Sequence, residues 1–161
     1  MLAHRVRSYV AFLSVLSASL VLAGCTFTVF ASKENPDPAA EAHYRAVWRE
    51  HAKALVPLNH ALDVCNIGGS RQGCYEASAR MITELSAFVD DLRSTKVPPR
   101  YTKADALTRE GLNRLMGGFE RRNRGLATND NADFVGGNQE IKEADAILEE
   151  AHARFPPDAR L

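Results

Sequence analysis

The chain lacks the residue patterns that usually identify an enzyme or a nucleic-acid-binding protein. Its 20 lysines and arginines are balanced by 20 aspartates and glutamates, so it has no general electrostatic attraction for nucleic acid or anionic lipid. It contains no His-Glu-x-x-His motif, no Gly-x-Ser-x-Gly motif, no Walker-type phosphate loop and no Cys-x-x-Cys pair. We therefore predict no nucleic-acid partner and no enzymatic activity.

The sequence also lacks the residue spacings that usually form a metal site. His43 and His51 are eight positions apart and can share one side of a helix, but neither is followed by a carboxylate at i+3 or i+4 that would complete a ligand set. Asp90–Asp91 and Glu149–Glu150 are adjacent in the sequence, so the members of each pair diverge around a helix. No metal site and no catalytic residue is predicted.

The alternating apolar pattern of a β-strand is nowhere sustained, and apolar residues instead recur every three or four positions in four segments. The first segment begins at Asp37, the expected N-cap, followed by Pro38 at the first helical position. It ends at Gly68-Gly69, and Pro57 is expected to kink it. Its apolar side comprises Tyr44, Trp48, His51, Leu55, Leu58, Leu62 and Cys65.

The other three segments have the same spacing. The second ends at Pro98-Pro99, and its apolar side comprises Cys74, Ser78, Met81, Leu85, Phe88 and Leu92. The third begins at Thr102, with Asp105 in a capping-box-like position, and its apolar residues are Leu112, Leu115, Phe119 and Leu126. The fourth follows the polar break at 128–131 and comprises Phe134, Ile141, Ala144, Leu148, Ala151 and Phe155. Short connections between four such helices predict an all-α, up-down-up-down four-helix bundle.

The N-terminal segment has a different character. No acidic residue precedes Glu34, Arg5 and Arg7 are followed by an apolar stretch, and that stretch ends in Leu22-Ala23-Gly24-Cys25. A basic start, an apolar run and small residues before a cleavage point are typical of a secretory signal peptide. An uncleaved anchor helix is the alternative, because uncharged residues continue through Ser32 and make the stretch long enough to span a bilayer.

The tetrapeptide resembles the lipobox of bacterial lipoproteins, and with the helical segments it is similar to small lipoproteins of high-GC Gram-positive bacteria. This resemblance implies a lipoprotein signal peptide over residues 1–24 and a lipidated Cys25 with a tether over residues 25–36. The helical domain would then occupy residues 37–161. It also implies that the covalent diacylglycerol and acyl lipid on Cys25 is the only prosthetic group, and that the domain lies on the extracytoplasmic face of the cell membrane.

Two cysteines remain besides Cys25. Cys65 and Cys74 are separated by eight residues that include three glycines, as a tight reversal requires. In an oxidising compartment such an isolated pair most simply forms a disulfide. A redox-active dithiol is a poor alternative because the Cys-x-x-Cys arrangement is missing. We predict that Cys65 and Cys74 form a structural disulfide between the first two helices.

Small residues recur every seven positions in the third helix. Gly111, Gly118 and Gly125 form one narrow stripe, and each glycine inside a helix costs about 0.8–1 kcal/mol relative to alanine. One interpretation is close helix packing, with a bulky side chain such as Trp48 or Phe134 filling the space. The other is a groove that admits a partner helix or an apolar ligand.

Charges of opposite sign are concentrated on the last two helices. The third carries Lys103, Arg109, Arg114, Arg121, Arg122 and Arg124, and the fourth carries Asp133, Glu140, Glu143, Asp145, Glu149 and Glu150. This pattern favours pairing between the two helices, although an exposed ion pair contributes only about 0–1 kcal/mol. The alternative is that Arg121, Arg122 and Arg124 bind anionic surface polymers.

These observations favour a lipid-anchored extracytoplasmic binding or interaction module of the cell envelope. Its partners would be the membrane, through the lipid anchor, and an envelope protein or wall polymer; the ligand is not specified by the residues. A prophage-type surface exclusion lipoprotein is an alternative within the same class. An envelope enzyme is the less favoured alternative, because no set of polar residues converges in the sequence.

Overall fold

The computed structural model describes residues 37–159, which contain four α-helices and no strand. The helices are α1 (Pro38–Asn66), α2 (Arg71–Ser94), α3 (Thr102–Thr128) and α4 (Asn131–Arg154). Short 3₁₀ turns at Pro99–Tyr101 and Pro157–Ala159 precede α3 and follow α4. The predicted all-α class is therefore confirmed for this part of the chain.

Three of the helices begin with a side-chain cap. Asp37 accepts a hydrogen bond from the amide of Ala40 at 3.0 Å, Ser70 accepts one from Gly73 at 3.1 Å, and Asp130 accepts from the second and third amides of α4. These contacts satisfy amide groups that have no partner within the helix. The N-terminal starts of α1, α2 and α4 are thus fixed by local sequence, as predicted for Asp37.

The capping role predicted for Asp105 is wrong. The N-cap of α3 is Tyr101, which makes no side-chain capping bond. The Asp105 side chain is buried and binds Tyr44 and Arg109 instead. The 3₁₀ turn before α3 supplies local bonding, because the Thr102 hydroxyl donates to the Pro99 carbonyl at 2.9 Å.

Two residues with positive φ shape the turns. Gly68 has a φ of 115° after α1, and Asn129 has a φ of 59° at the end of α3. Glycine adopts this region without steric penalty, and asparagine tolerates it better than most residues.

Helix α1 continues through Pro57, whose side chain is exposed. Proline has no amide hydrogen, so the carbonyl one turn earlier, on exposed Lys53, loses its helical partner.

The core is formed by apolar residues from all four helices. Its largest completely buried side chains are Tyr44, Met81, Leu85, Leu92 and Tyr101. The Trp48 ring packs edge-on against Phe88 of α2, with 5.1 Å between ring centroids, and against Phe155 after α4, at 5.5 Å. Aromatic pairs favour such edge-to-face geometry. Trp48 therefore connects α1 to both α2 and the C-terminal end of α4.

Cys65 and Cys74 are joined by a disulfide, as the sequence predicts. Their Cα atoms are 5.2 Å apart, within the normal range for this cross-link. Cys65 lies in the last turn of α1 and Cys74 in the first turn of α2. The disulfide therefore closes the α1–α2 connection.

We expect removal of this disulfide to lower stability while the helices persist. A Cys65→Ala/Cys74→Ala variant should lose about 2–3 kcal/mol of unfolding free energy, because a cross-link mainly restricts the unfolded chain. Urea unfolding followed by circular dichroism measures the change, and the oxidised parent protein is the control. Two free thiols in a nonreducing peptide map of the parent would contradict the pairing.

Candidate functional site

The glycine stripe of α3 lies against α4. A Cβ atom built at Gly111 would be 2.7 Å from Leu148 Cδ2, and one at Gly125 would be 2.7 Å from the Asp130 carbonyl oxygen. At Gly118 the added atom would lie 2.9 Å from the amide nitrogen of Ile141. These separations are too short for a carbon atom. At Gly118 and Gly125 the close atoms include backbone, so a side chain there would push the two helices apart, whereas at Gly111 the Leu148 side chain would have to shift.

Helix α4 contributes glycines of its own to this contact. A Cβ atom at Gly137 would lie 2.6 Å from the carbonyl oxygen of Gly118, and the reverse contact, from Gly118 to the Gly137 oxygen, would be 3.0 Å. Gly136 lies beneath the Arg121 side chain, where an added Cβ atom would be 2.6 Å from Nη2. We name the set Gly111, Gly118, Gly125, Gly136 and Gly137 the glycine seam. At Gly118, Gly125 and Gly137 the backbones of α3 and α4 are in direct contact.

These distances favour the packing interpretation over an open groove. Of the two bulky residues suggested by the sequence, Phe134 lies against the stripe and Trp48 does not. Trp48 packs between Phe88 and Phe155 and not on the seam. Phe134 contacts Gly125 through its backbone, since a Cβ atom there would be 2.9 Å from the Phe134 Cα atom.

Ion pairs border the glycine seam, as the opposite charges of the two helices predict. Arg121 binds Asp133 at 3.0 Å and Glu140 at 2.8 Å, and Arg114 binds Glu143. Hydrogen bonds to Glu140 and then to Asp133 raise the pKa of Arg121, and the bond from Arg121 lowers the pKa of Asp133. The pairing therefore favours the charged form of each partner.

The three arginines considered for binding anionic polymers do not form an open basic surface. Arg121 is engaged by two carboxylates of α4, and Arg124 lies 3.5 Å from Asp133. Arg122 is buried, with its guanidinium 5.6 Å from the centre of the Phe134 ring. All three side chains therefore contact other residues of α3 and α4.

His51 makes the most notable polar contact between α1 and α2. Its ring is buried and stacked on Phe88, with centroids 4.6 Å apart. Nδ1 lies 2.6 Å from Glu84 and Nε2 lies 2.8 Å from Asp91. The two nitrogens thus contact carboxylates on opposite sides of the ring. His43, on the same helix, is exposed.

These partners belong to α2, so the spacing of carboxylates along the helix of His51 does not reveal them. Glu84, Phe88 and Asp91 are spaced by four and three residues, which places them on one side of α2. This spacing is the sequence feature that indicates a polar contact on that side of α2. Because the carboxylates lie on opposite sides of the imidazole, their oxygens do not converge on a common point. Within residues 37–159, no group of three or more His, Cys, Asp or Glu side chains is arranged to hold a metal ion.

A buried polar cluster lies near the start of α3. The Tyr44 hydroxyl donates to Asp105 at 2.9 Å, and Arg109 Nε donates to the other carboxylate oxygen at 2.7 Å. Arg109 also donates to the Leu92 carbonyl at 2.7 Å. Burial raises the pKa of Tyr44 far above its usual value. These hydrogen bonds connect α1, α2 and α3.

Ion pairs connect the first turn of α1 to other parts of the chain. Lys96 binds Asp37 at 3.0 Å, and Arg100 binds Glu41 at 2.6 Å and Asp158 at 2.8 Å. These pairs lie at the end of the domain that contains Asp37. Cys25 and the rest of residues 1–36 lie outside the described residues, so the lipobox prediction is not addressed by these contacts.

Comparison with known proteins gives no relative. No protein-family model matches the chain, and neither the curated proteins nor the solved structures include a match. Among residues 37–159, no helix contains an 18-residue stretch apolar enough to cross a membrane.

Substitutions at adjacent glycines should separate seam packing from helix propensity. Gly118→Ala should lower the unfolding free energy by about 1–3 kcal/mol, because the added methyl group meets the backbone of α4. Gly117→Ala is the matched control: no atom lies within 4 Å of its Cβ position, so it should gain about 0.5–1 kcal/mol from helix propensity. Urea unfolding measures both changes. Equal effects of the two variants would show that the seam is not tightly packed.

The buried hydroxyl of Tyr44 should make stability fall at alkaline pH. Above about pH 10 the unfolded chain loses this proton, whereas burial keeps the folded residue protonated. Between pH 9 and 11 the unfolding free energy should then fall by about 1.4 kcal/mol more in the parent protein than in Tyr44→Phe. Urea titrations between pH 9 and 11 measure the two slopes. Parallel slopes would refute the assignment.

Proposed function

We propose that this chain is a lipid-anchored, extracytoplasmic helical module that binds a component of the cell envelope. The observation that carries the proposal is the sequence Leu22-Ala23-Gly24-Cys25 at the end of an apolar run with a basic start. Acylation of Cys25 would add two or three chains, each buried CH₂ contributing about 0.8 kcal/mol. That makes anchoring effectively stable.

We further propose an up-down-up-down order for the four helices. The disulfide places the end of α1 beside the start of α2, and the Lys96–Asp37 pair places the chain after α2 beside the start of α1. The Arg71 side chain, at the start of α2, bonds to the Leu126 carbonyl near the end of α3. The contact between Gly125 and Asp130 brings the end of α3 to the start of α4. All four contacts bring the end of one helix beside the start of another, which supports antiparallel packing of consecutive helices.

This topology gives the domain two different ends. One receives the tether at Asp37 and is closed by the ion pairs of Arg100 and Lys96. The other carries the disulfide turn and the Thr128–Asp130 turn, and α1, with 29 residues, separates them by about 44 Å. Such a body would present helical surfaces to an envelope protein or wall polymer while remaining attached to the membrane.

The lipid anchor is tested through Cys25. In a bacterium that processes lipoproteins, Cys25→Ala should abolish labelling by an alkyne fatty acid and leave the unprocessed precursor, because only this thiol follows the small-residue cleavage site. Cys74→Ala is the matched control and should be labelled like the parent. Gel fluorescence and intact mass measure labelling and processing. A processed Cys25→Ala protein that still carries lipid would overturn the anchor.

A further inference from the structure

One outward-facing stripe of α1 combines basic and apolar side chains. Arg49, Lys53, Val56, His60 and Val64 are all exposed and follow one another at intervals of four, three, four and four residues. On an α-helix these intervals confine them to about 80° of the circumference. We name them the α1 outer stripe. Its valines are 50% and 47% exposed.

The positive charges of this stripe are not neutralised by ion pairs. Among residues 37–159, Arg49 and Lys53 make no salt bridge, and Arg49 Nε donates only to the Arg45 carbonyl, at 3.3 Å. Helix α1 has three acidic residues. Glu41 forms an ion pair with Arg100, and Glu50 and Asp63 lie on either side of the stripe. The stripe thus offers two free cations, a histidine and exposed apolar surface along a single line.

Charge is distributed unevenly over the domain even though the chain is balanced overall. Helix α4 has six acidic residues and two basic ones, and Glu149 and Glu150 at its C-terminal half are exposed. An anionic surface would therefore repel α4 and attract the α1 outer stripe. The sequence-wide balance excludes a general attraction to anionic lipid but not an oriented one.

We propose that the α1 outer stripe lies against an anionic phospholipid surface. The inference rests on the proposed lipid anchor, because that anchor brings α1 to the bilayer. Asp37 is 12 residues from Cys25, so the tether spans at most about 43 Å, no more than the length of α1. A helix with cations beside apolar residues suits the boundary between headgroups and acyl chains, and each Lys or Arg near an anionic surface strengthens attachment about fivefold.

Lysine labelling of the full-length lipidated protein tests this orientation. The protein is inserted into vesicles of phosphatidylcholine alone or of equal parts phosphatidylcholine and phosphatidylglycerol, then treated with a membrane-impermeant amine reagent. Labelling of Lys53, measured by peptide mass spectrometry, should be at least fivefold slower on the anionic vesicles, and 1 M NaCl should reverse this protection. Lys142, exposed on α4, is the internal control and should change less than twofold.

Charge variants identify the surface responsible. Arg49→Glu/Val56→Glu should restore Lys53 labelling on anionic vesicles to the rate seen on neutral ones. The matched control Arg80→Glu, an exposed position on α2, should leave Lys53 protected. Both substitutions lie on exposed surfaces, so circular dichroism should show unchanged folding.

The outcomes separate this inference from the anchor itself. Lys53 labelling that is as fast on both vesicles as in 1 M NaCl, with an acylated N-terminal peptide in the same digest, would overturn the orientation and leave the anchor standing. Lys53 labelling that is slowed equally on both vesicles and is unchanged by salt would overturn the recognition of anionic lipid. An N-terminal peptide without acyl chains would overturn the anchor and, with it, the orientation.

Discussion

The direct backbone contact between Gly118 and Gly137 is the constraint on which the α3–α4 pair depends. Because neither residue has a side chain, the carbonyl of each helix lies against the other helix. The same closeness lets Arg121 lie across Gly136 and bind two carboxylates of α4. Ion pairs at the border of the seam follow from this approach and do not create it, since exposed pairs contribute little by themselves.

Helix α1 is held by a different kind of contact. Its attachments are side chains that reach across wider gaps: the Trp48 ring, the His51 imidazole between two carboxylates, and the Tyr44 hydroxyl on Asp105. The covalent link at Cys65 adds a restraint at its C-terminal end. The domain thus combines one pair of helices joined through backbone atoms with others joined through longer side chains.

The sequence predicts features whose causes are local. Helical spacing, the Asp37 cap and the small-residue context of Cys65 and Cys74 depend on neighbouring residues, and the structure agrees with each. Asp105 was misread because its partner, Tyr44, is 61 positions away. Gly136 and Gly137 of α4 complement the α3 stripe, and the seven-residue spacing within α3 gives no sign of them. Which helix covers the stripe, and which carboxylates surround His51, depends on tertiary packing that spacing alone does not encode.

The contacts at the entry of α1 have a mechanical consequence. A pull on Asp37 away from the domain would load the start of α1 first, and the first bonds under load would be the ion pairs of Asp37 and Glu41 with Lys96 and Arg100. These exposed pairs reform readily in water, so they would yield and recover under small forces. Rupture would next have to reach Tyr44 and Trp48, while the disulfide would keep the far end of α1 attached. Tension would then peel α1 from its start without extending the α3–α4 pair.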